Sequence, residues 1–162
     1  MKKVIKCGQF FDSNTGKVLK DIAVVIDGNK ITEVAPAADV CCKDAEVIDL
    51  SGKFVMPGLI DAHVHINMNG EAVTSDATAA INSMIYAQRD LMAGFTTLRD
   101  EGAQGYSDVA VRDAINAGKI VGPRISCSGE AIGGTGGHAD SHFLPCVTGK
   151  HAFGQIIDGP DA

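Results

Sequence analysis

Phe54-Val55-Met56-Pro57-Gly58-Leu59-Ile60-Asp61-Ala62-His63-Val64-His65-Ile66 decides how this chain is read. An apolar run ends in two imidazoles one residue apart. Side chains at i and i+2 of a strand point to the same face, so both rings can reach one point in space. Imidazole is a good ligand for zinc and similar ions. The run is apolar on both faces, which predicts a buried parallel strand.

Strand and helix patterns alternate on the C-terminal side. Ala77 to Ala93 carries Ile81, Met84, Ile85, Leu91 and Met92 as a helical stripe, with Ser75 or Asp76 as the cap and Gly94 past its end. Phe95-Thr96-Thr97-Leu98 reads as a second strand. A shorter helix is expected from Ser107 or Asp108 to about Ala117, with Val111, Ala114 and Ile115 inward and Gly118 after it. Ile125-Ser126-Cys127-Ser128 reads as a third strand. Such alternation implies α/β architecture with a parallel sheet and right-handed crossovers. Before residue 54 the pattern is β, with a hairpin signal at Asp27-Gly28-Asn29 between Ile22–Ile26 and Ile31–Val34.

Composition sets limits. A chain of 162 residues, 45% hydrophobic, can bury a core. Net charge of −6 without a basic stripe argues against nucleic acid. No stretch is apolar and long enough to span a bilayer, and the N-terminus lacks a signal-peptide core, so a cytoplasmic location is expected. Five cysteines with no Cys-x-x-Cys read as reduced thiols, not a zinc knuckle.

Val55 to His65 resembles the first barrel strand of the amidohydrolase superfamily. Three further stretches resemble the same family in order and spacing: Ala93-Gly94-Phe95-Thr96-Thr97-Leu98-Arg99-Asp100, Gly122-Pro123-Arg124-Ile125-Ser126, and Gly133-Gly134-Thr135-Gly136-Gly137-His138-Ala139-Asp140. Together they are similar to the branch holding prolidase-like (Xaa-Pro dipeptidase) and imidazolonepropionase-like enzymes. The resemblance implies a metal-dependent hydrolase of amide or related C–N bonds, taking a small-molecule or dipeptide substrate and one or two divalent ions, zinc first. It allows a homo-oligomer.

The resemblance also implies a fold and a site. Residues 1–53 correspond to part of a small β-sandwich, and residues 54–162 to the first strands and helices of a (β/α)₈ TIM barrel. Such a barrel needs roughly 250 residues, so the chain is expected to be the N-terminal portion of a larger enzyme. His63 and His65 correspond to two metal ligands. Asp100, at the end of the second strand, corresponds to a group behind the metal centre; a salt bridge to Arg99 or Arg124 is the structural alternative. Asp61 either orients a ligand histidine or caps backbone amides near the strand end. His138, in the glycine-rich loop, corresponds to a substrate contact, while Asp140 and His142 order that loop. Gly134 to Ala139 also fits a G-x-G-x-x-A dinucleotide pattern, but no helical stripe follows it. The family's carboxylated lysine, further histidines and general-base aspartate would come from later strands. The competing expectation is a catalytically incomplete fragment that offers a His-x-His half-site or pairs with a complementary chain.

Overall fold

The computed structural model describes residues 2–67, 75–138, 140 and 154–160. The chain divides into two compact units, Met1–Pro57 and Gly58–Ala162, within a mixed α/β structure.

The first unit is a four-stranded sheet in the order β3-β2-β1-β4. Its strands are β1 (Lys2–Asp12), β2 (Lys17–Asp27), β3 (Lys30–Pro36) and β4 (Glu46–Val55). β1 and β2 pair antiparallel, as do β2 and β3, while β1 and β4 run parallel. The predicted hairpin forms: Asp27 pairs with Lys30, and Gly28 takes φ +61 in the two-residue turn. Val4, Ala23 and Val25 are buried beneath Ala37, Val40, Cys42 and Ala45. One face of the sheet is thus covered by the segment between β3 and β4.

The second unit contains β5 (Leu59–Val64), α1 (Asp76–Met92), β6 (Phe95–Asp100), α2 (Ser107–Asn116) and β7 (Arg124–Cys127). β5, β6 and β7 form a parallel sheet in that order. Leu98 in the middle strand is fully buried among Ile66, Ala87, Val111 and Ile125. β8 (Ala131–Gly133) and β9 (Gly154–Ile156) make a separate parallel pair.

α1 starts and stops where the sequence marks it. Ser75 is the N-cap and its Oγ accepts from the Thr78 amide at 3.2 Å; Gly94 follows at φ +103. The inward face follows the expected stripe only in part: Met84 packs against the core. Ala79, Ser83 and Ala87 are buried, whereas Ile81 is 56% and Met92 85% exposed. Small residues at i, i+4 and i+8 let α1 approach α2 closely enough for Ser83 Oγ to donate to Ser107 Oγ at 3.2 Å. Bulky side chains on that face would prevent it. α2 starts at Ser107, as read, and Tyr106, at φ +54, precedes it without a side-chain cap.

β5 also differs from the buried strand its composition suggests. It lies at one edge of the described sheet, with Leu59 42% and Ile60 69% exposed. An apolar run reports what a strand can bury, not what covers it.

Candidate metal centre

Parallel pairing puts the carboxyl ends of three strands at one edge. Val64 pairs with Asp100, and Asp100 with Cys127, so the segments beginning at His65, Glu101 and Ser128 all leave from one row. Gly58 fixes the other end of β5, because a Cβ there would overlap the Thr96 side chain of β6.

The two histidines come together. Their ring centroids lie 5.5 Å apart at an interplanar angle of 75°. His63 is exposed and His65 half-buried. His65 Nδ1 lies 2.9 Å from the Gly102 carbonyl oxygen. A carbonyl only accepts, so this contact places a ring proton on Nδ1, and in the neutral imidazole the lone pair is then on Nε2. That is the tautomer a metal ligand held through its other nitrogen requires. The donor set therefore fits two imidazole ligands of a divalent ion. Among the described residues no group of three or more His, Cys, Asp or Glu side chains is placed to hold one. The arrangement is half of a typical zinc site with three protein ligands and water.

Asp100 organises the segment behind His65. It is 1% exposed. Its Oδ2 accepts from the Ile66 amide and its Oδ1 from the Gly102 amide, both at 2.9 Å. Burial pushes its carboxyl above the usual carboxylate range, against the lowering effect of those two amides. Neither arginine weighed as its partner is used so: Arg99 pairs with Glu101 at 2.6 Å, and Arg124 donates to Thr97 Oγ1 at 3.3 Å. Strand alternation sends Arg99 to the opposite face from Asp100.

Asp61 accepts from the His63 amide at 3.1 Å. Its carboxylate is thus tied to the backbone of the strand end that carries the first histidine. His138 is exposed and stands on the turn after β8. Asp140, 4% exposed, accepts from the Gly136 amide at 2.8 Å within that turn. His142 and His151 lie outside the described residues.

Two contributors escape sequence reasoning. Gly102 holds His65 through a main-chain oxygen, which no side-chain motif reports. Asp108 reads as an ordinary first-turn acid, yet it is fully buried and accepts from the Gly129 amide at 3.0 Å.

Residues 54–152 match the amidohydrolase family. The chain belongs to that family of hydrolytic enzymes. Ochratoxinase from Aspergillus niger is 31% identical over 155 residues, covering 90% of this chain and 32% of that protein. Dihydroorotase from Carboxydothermus hydrogenoformans is 38% identical over 96 residues, covering 59% of this chain and 20% of its own length. Among solved structures, a Xaa-Pro dipeptidase with bound methionine in the active site aligns with TM-score 0.80 and 36% identity, over 86% of this chain and 36% of the other. A prolidase complexed with N-methylphosphonate-L-proline aligns with TM-score 0.81 and 34% identity, over 98% and 41%. The chain spans about a third of the length of the ochratoxinase it matches.

Proposed function

We propose that this chain contributes His63 and His65 as two ligands of a divalent ion, zinc first, in a hydrolase of amide or related C–N bonds. The observation that carries the reading is the His65 ring, held through Nδ1 on the Gly102 carbonyl with its centroid 5.5 Å from that of the His63 ring. A bound divalent ion supplies a water of lowered pKa and polarises a carbonyl. The chain's own residues hold and orient: Asp61 secures the His63 backbone, Asp100 secures the two segments flanking His65, and His138 contacts substrate.

In this reading residues 54–162 supply the opening strands and helices of a (β/α)₈ barrel, and residues 1–53 part of a β-sandwich. The substrate class is a Xaa-Pro dipeptide or an N-acyl amino acid. It is supported by similarity to structures named as a Xaa-Pro dipeptidase and a prolidase. A cytoplasmic setting suits the four described cysteines, all of them free. In this reading the 162-residue chain by itself supplies the His63 and His65 half-site, while a zinc centre of this kind takes three protein ligands, so it turns over no substrate alone.

Cobalt binding tests the ligand assignment. In the complete protein His63→Ala and His65→Ala should each abolish stoichiometric Co²⁺ uptake, read by absorption and by metal analysis; uptake equal to the unsubstituted protein removes these residues from the site. Substrate class is tested on the complete protein with a panel of Xaa-Pro dipeptides, N-acyl amino acids and cyclic amides. Turnover confined to cyclic amides would overturn the dipeptide assignment. Turnover by the 162-residue chain with added Zn²⁺, above that of the two histidine variants, would overturn the half-site reading.

A further inference from the structure

We infer that Asp108 is a positioning residue for His65, acting through Gly129 and the peptide plane between Gly102 and Ala103. Asp108 lies in the first turn of α2, where an acid ordinarily serves only the helix's own amides. Its Oδ1 does accept locally, from the Val109 amide at 2.8 Å. Its Oδ2 instead leaves the helix and accepts from the Gly129 amide at 3.0 Å, beyond the end of β7. Asp108 is fully buried, so this bond does not compete with water.

Gly129 is built for that position. It takes φ +75, and a Cβ would lie 2.9 Å from Cε1 of the Tyr106 ring. Its carbonyl oxygen accepts from the Ala103 amide at 2.9 Å. Ala103 is 1% exposed. The amide of Ala103 and the carbonyl of Gly102 belong to one planar trans peptide, so they point in opposite directions. Fixing the Ala103 N–H on Gly129 therefore aims the Gly102 oxygen, and that oxygen accepts from His65 Nδ1 at 2.9 Å. Asp100 fixes the neighbouring peptide through the Gly102 amide. The second hold on the Gly102 oxygen runs through Asp108. The consequence for a metal ligand rests on the assignment of His65 made above; the consequence for the imidazole tautomer does not.

The experiment reads both separately in the full chain. Long-range ¹H–¹⁵N correlation of the metal-free protein reports which nitrogen of His65 carries the proton, with His65→Ala giving the assignment. The unsubstituted chain should show Nδ1–H alone. Asp108→Ala should bring in the Nε2–H tautomer and weaken Zn²⁺ binding roughly tenfold, in the range for losing a ligand's orienting partner. Asp108→Asn, which keeps an acceptor for Gly129, should restore the single tautomer. Ser83→Ala lowers stability at the same helix pair without touching the loop, and should leave tautomer and affinity unchanged. The inference fails if Asp108→Ala retains the pure Nδ1–H form, or if Ser83→Ala shifts it equally. Unaltered Zn²⁺ binding in His63→Ala and His65→Ala defeats the ligand assignment alone. Should Asp108→Ala not fold, amide exchange in the unsubstituted chain decides. Equal protection of Gly129 and Ala103 supports the relay, and exchange at Ala103 about a hundredfold faster than at Gly129 overturns it.

Discussion

Replacing Asp100 with alanine tests the central packing claim of the site. The carboxylate is 1% exposed and each oxygen accepts one backbone N–H, from Ile66 and from Gly102, at 2.9 Å. Alanine removes both acceptors. An orphaned buried donor costs about 1–3 kcal/mol, so two give a loss of about 2–6 kcal/mol. A typical domain holds about 5–15 kcal/mol in all. Asp100→Asn keeps one accepting oxygen and turns the other position into a donor facing an N–H. It should therefore be destabilised as well, though less than alanine. Urea unfolding followed by circular dichroism gives the loss, and amide exchange locates it at Ile66 and Gly102. Arg99→Ala and Arg124→Ala should leave the midpoint nearly unchanged, because both side chains are exposed and bonded elsewhere. An Asp100→Ala midpoint equal to the unsubstituted chain, with both amides still protected, would refute the reasoning. A larger loss from either arginine variant would restore the salt-bridge alternative.

Thiol chemistry gives a second check. Burial first, then the Asp108 carboxylate, push the Cys127 thiol up to about 12, and burial raises Cys7. At pH 8 the thiolate share of a group at 12 is about one in ten thousand. Iodoacetamide with peptide mapping should therefore label exposed Cys41 well ahead of Cys127 and Cys7, and label all three alike in urea; Cys127 reacting as fast as Cys41 in the native chain contradicts this. Leu98→Ala, at a fully buried position in the middle strand, should cost about 2–5 kcal/mol by unfolding. A loss below 1 kcal/mol would mean that the core is elsewhere. Ser75→Ala removes the acceptor for the Thr78 amide at the start of α1 and should cost about 1 kcal/mol, visible as earlier fraying of α1 amides in exchange; unchanged exchange there refutes the capping role.

Local signals read well where the chemistry is local. The Asp27-Gly28-Asn29 turn, the Ser75 cap and the Gly94 stop depend on a few adjacent residues, and each forms as read. His63 and His65 also come together, although β5 ends at Val64, one residue before His65. Burial is not local. The large apolar residues of α1 suggested its inner face, but distance to a neighbouring helix decides which residues are covered. Two alanines and a serine win because they allow closer approach. β5 shows the same limit from the other side, with apolar residues left exposed at a sheet edge.

The supporting half of the site was illegible for a further physical reason. Its working atoms are main-chain atoms brought together across long separations. His65 meets Gly102 over 37 positions, and Asp108 meets Gly129 over 21. Backbone carbonyls and amides are present at nearly every residue, so sequence carries no mark of which one is used. What does carry a mark is the strand register that delivers them. Val64, Asp100 and Cys127 share one row only if β5, β6 and β7 run parallel in that order. The crossovers α1 and α2 enforce this direction, since consecutive parallel strands need a connection that returns the chain to the starting edge. Aspartates follow from that placement: at a row of strand ends, adjacent backbone amides have lost their ladder partners. A buried carboxylate is the side chain able to accept from two such amides at once. Asp100 does so for Ile66 and Gly102, while Asp108 accepts from one such amide, Gly129, and from Val109 in the first turn of α2. Asp100, closing β6 two residues before Gly102, is thus the one of the two that leaves a trace in sequence, whereas Asp108, inside α2 and 21 positions from Gly129, leaves none.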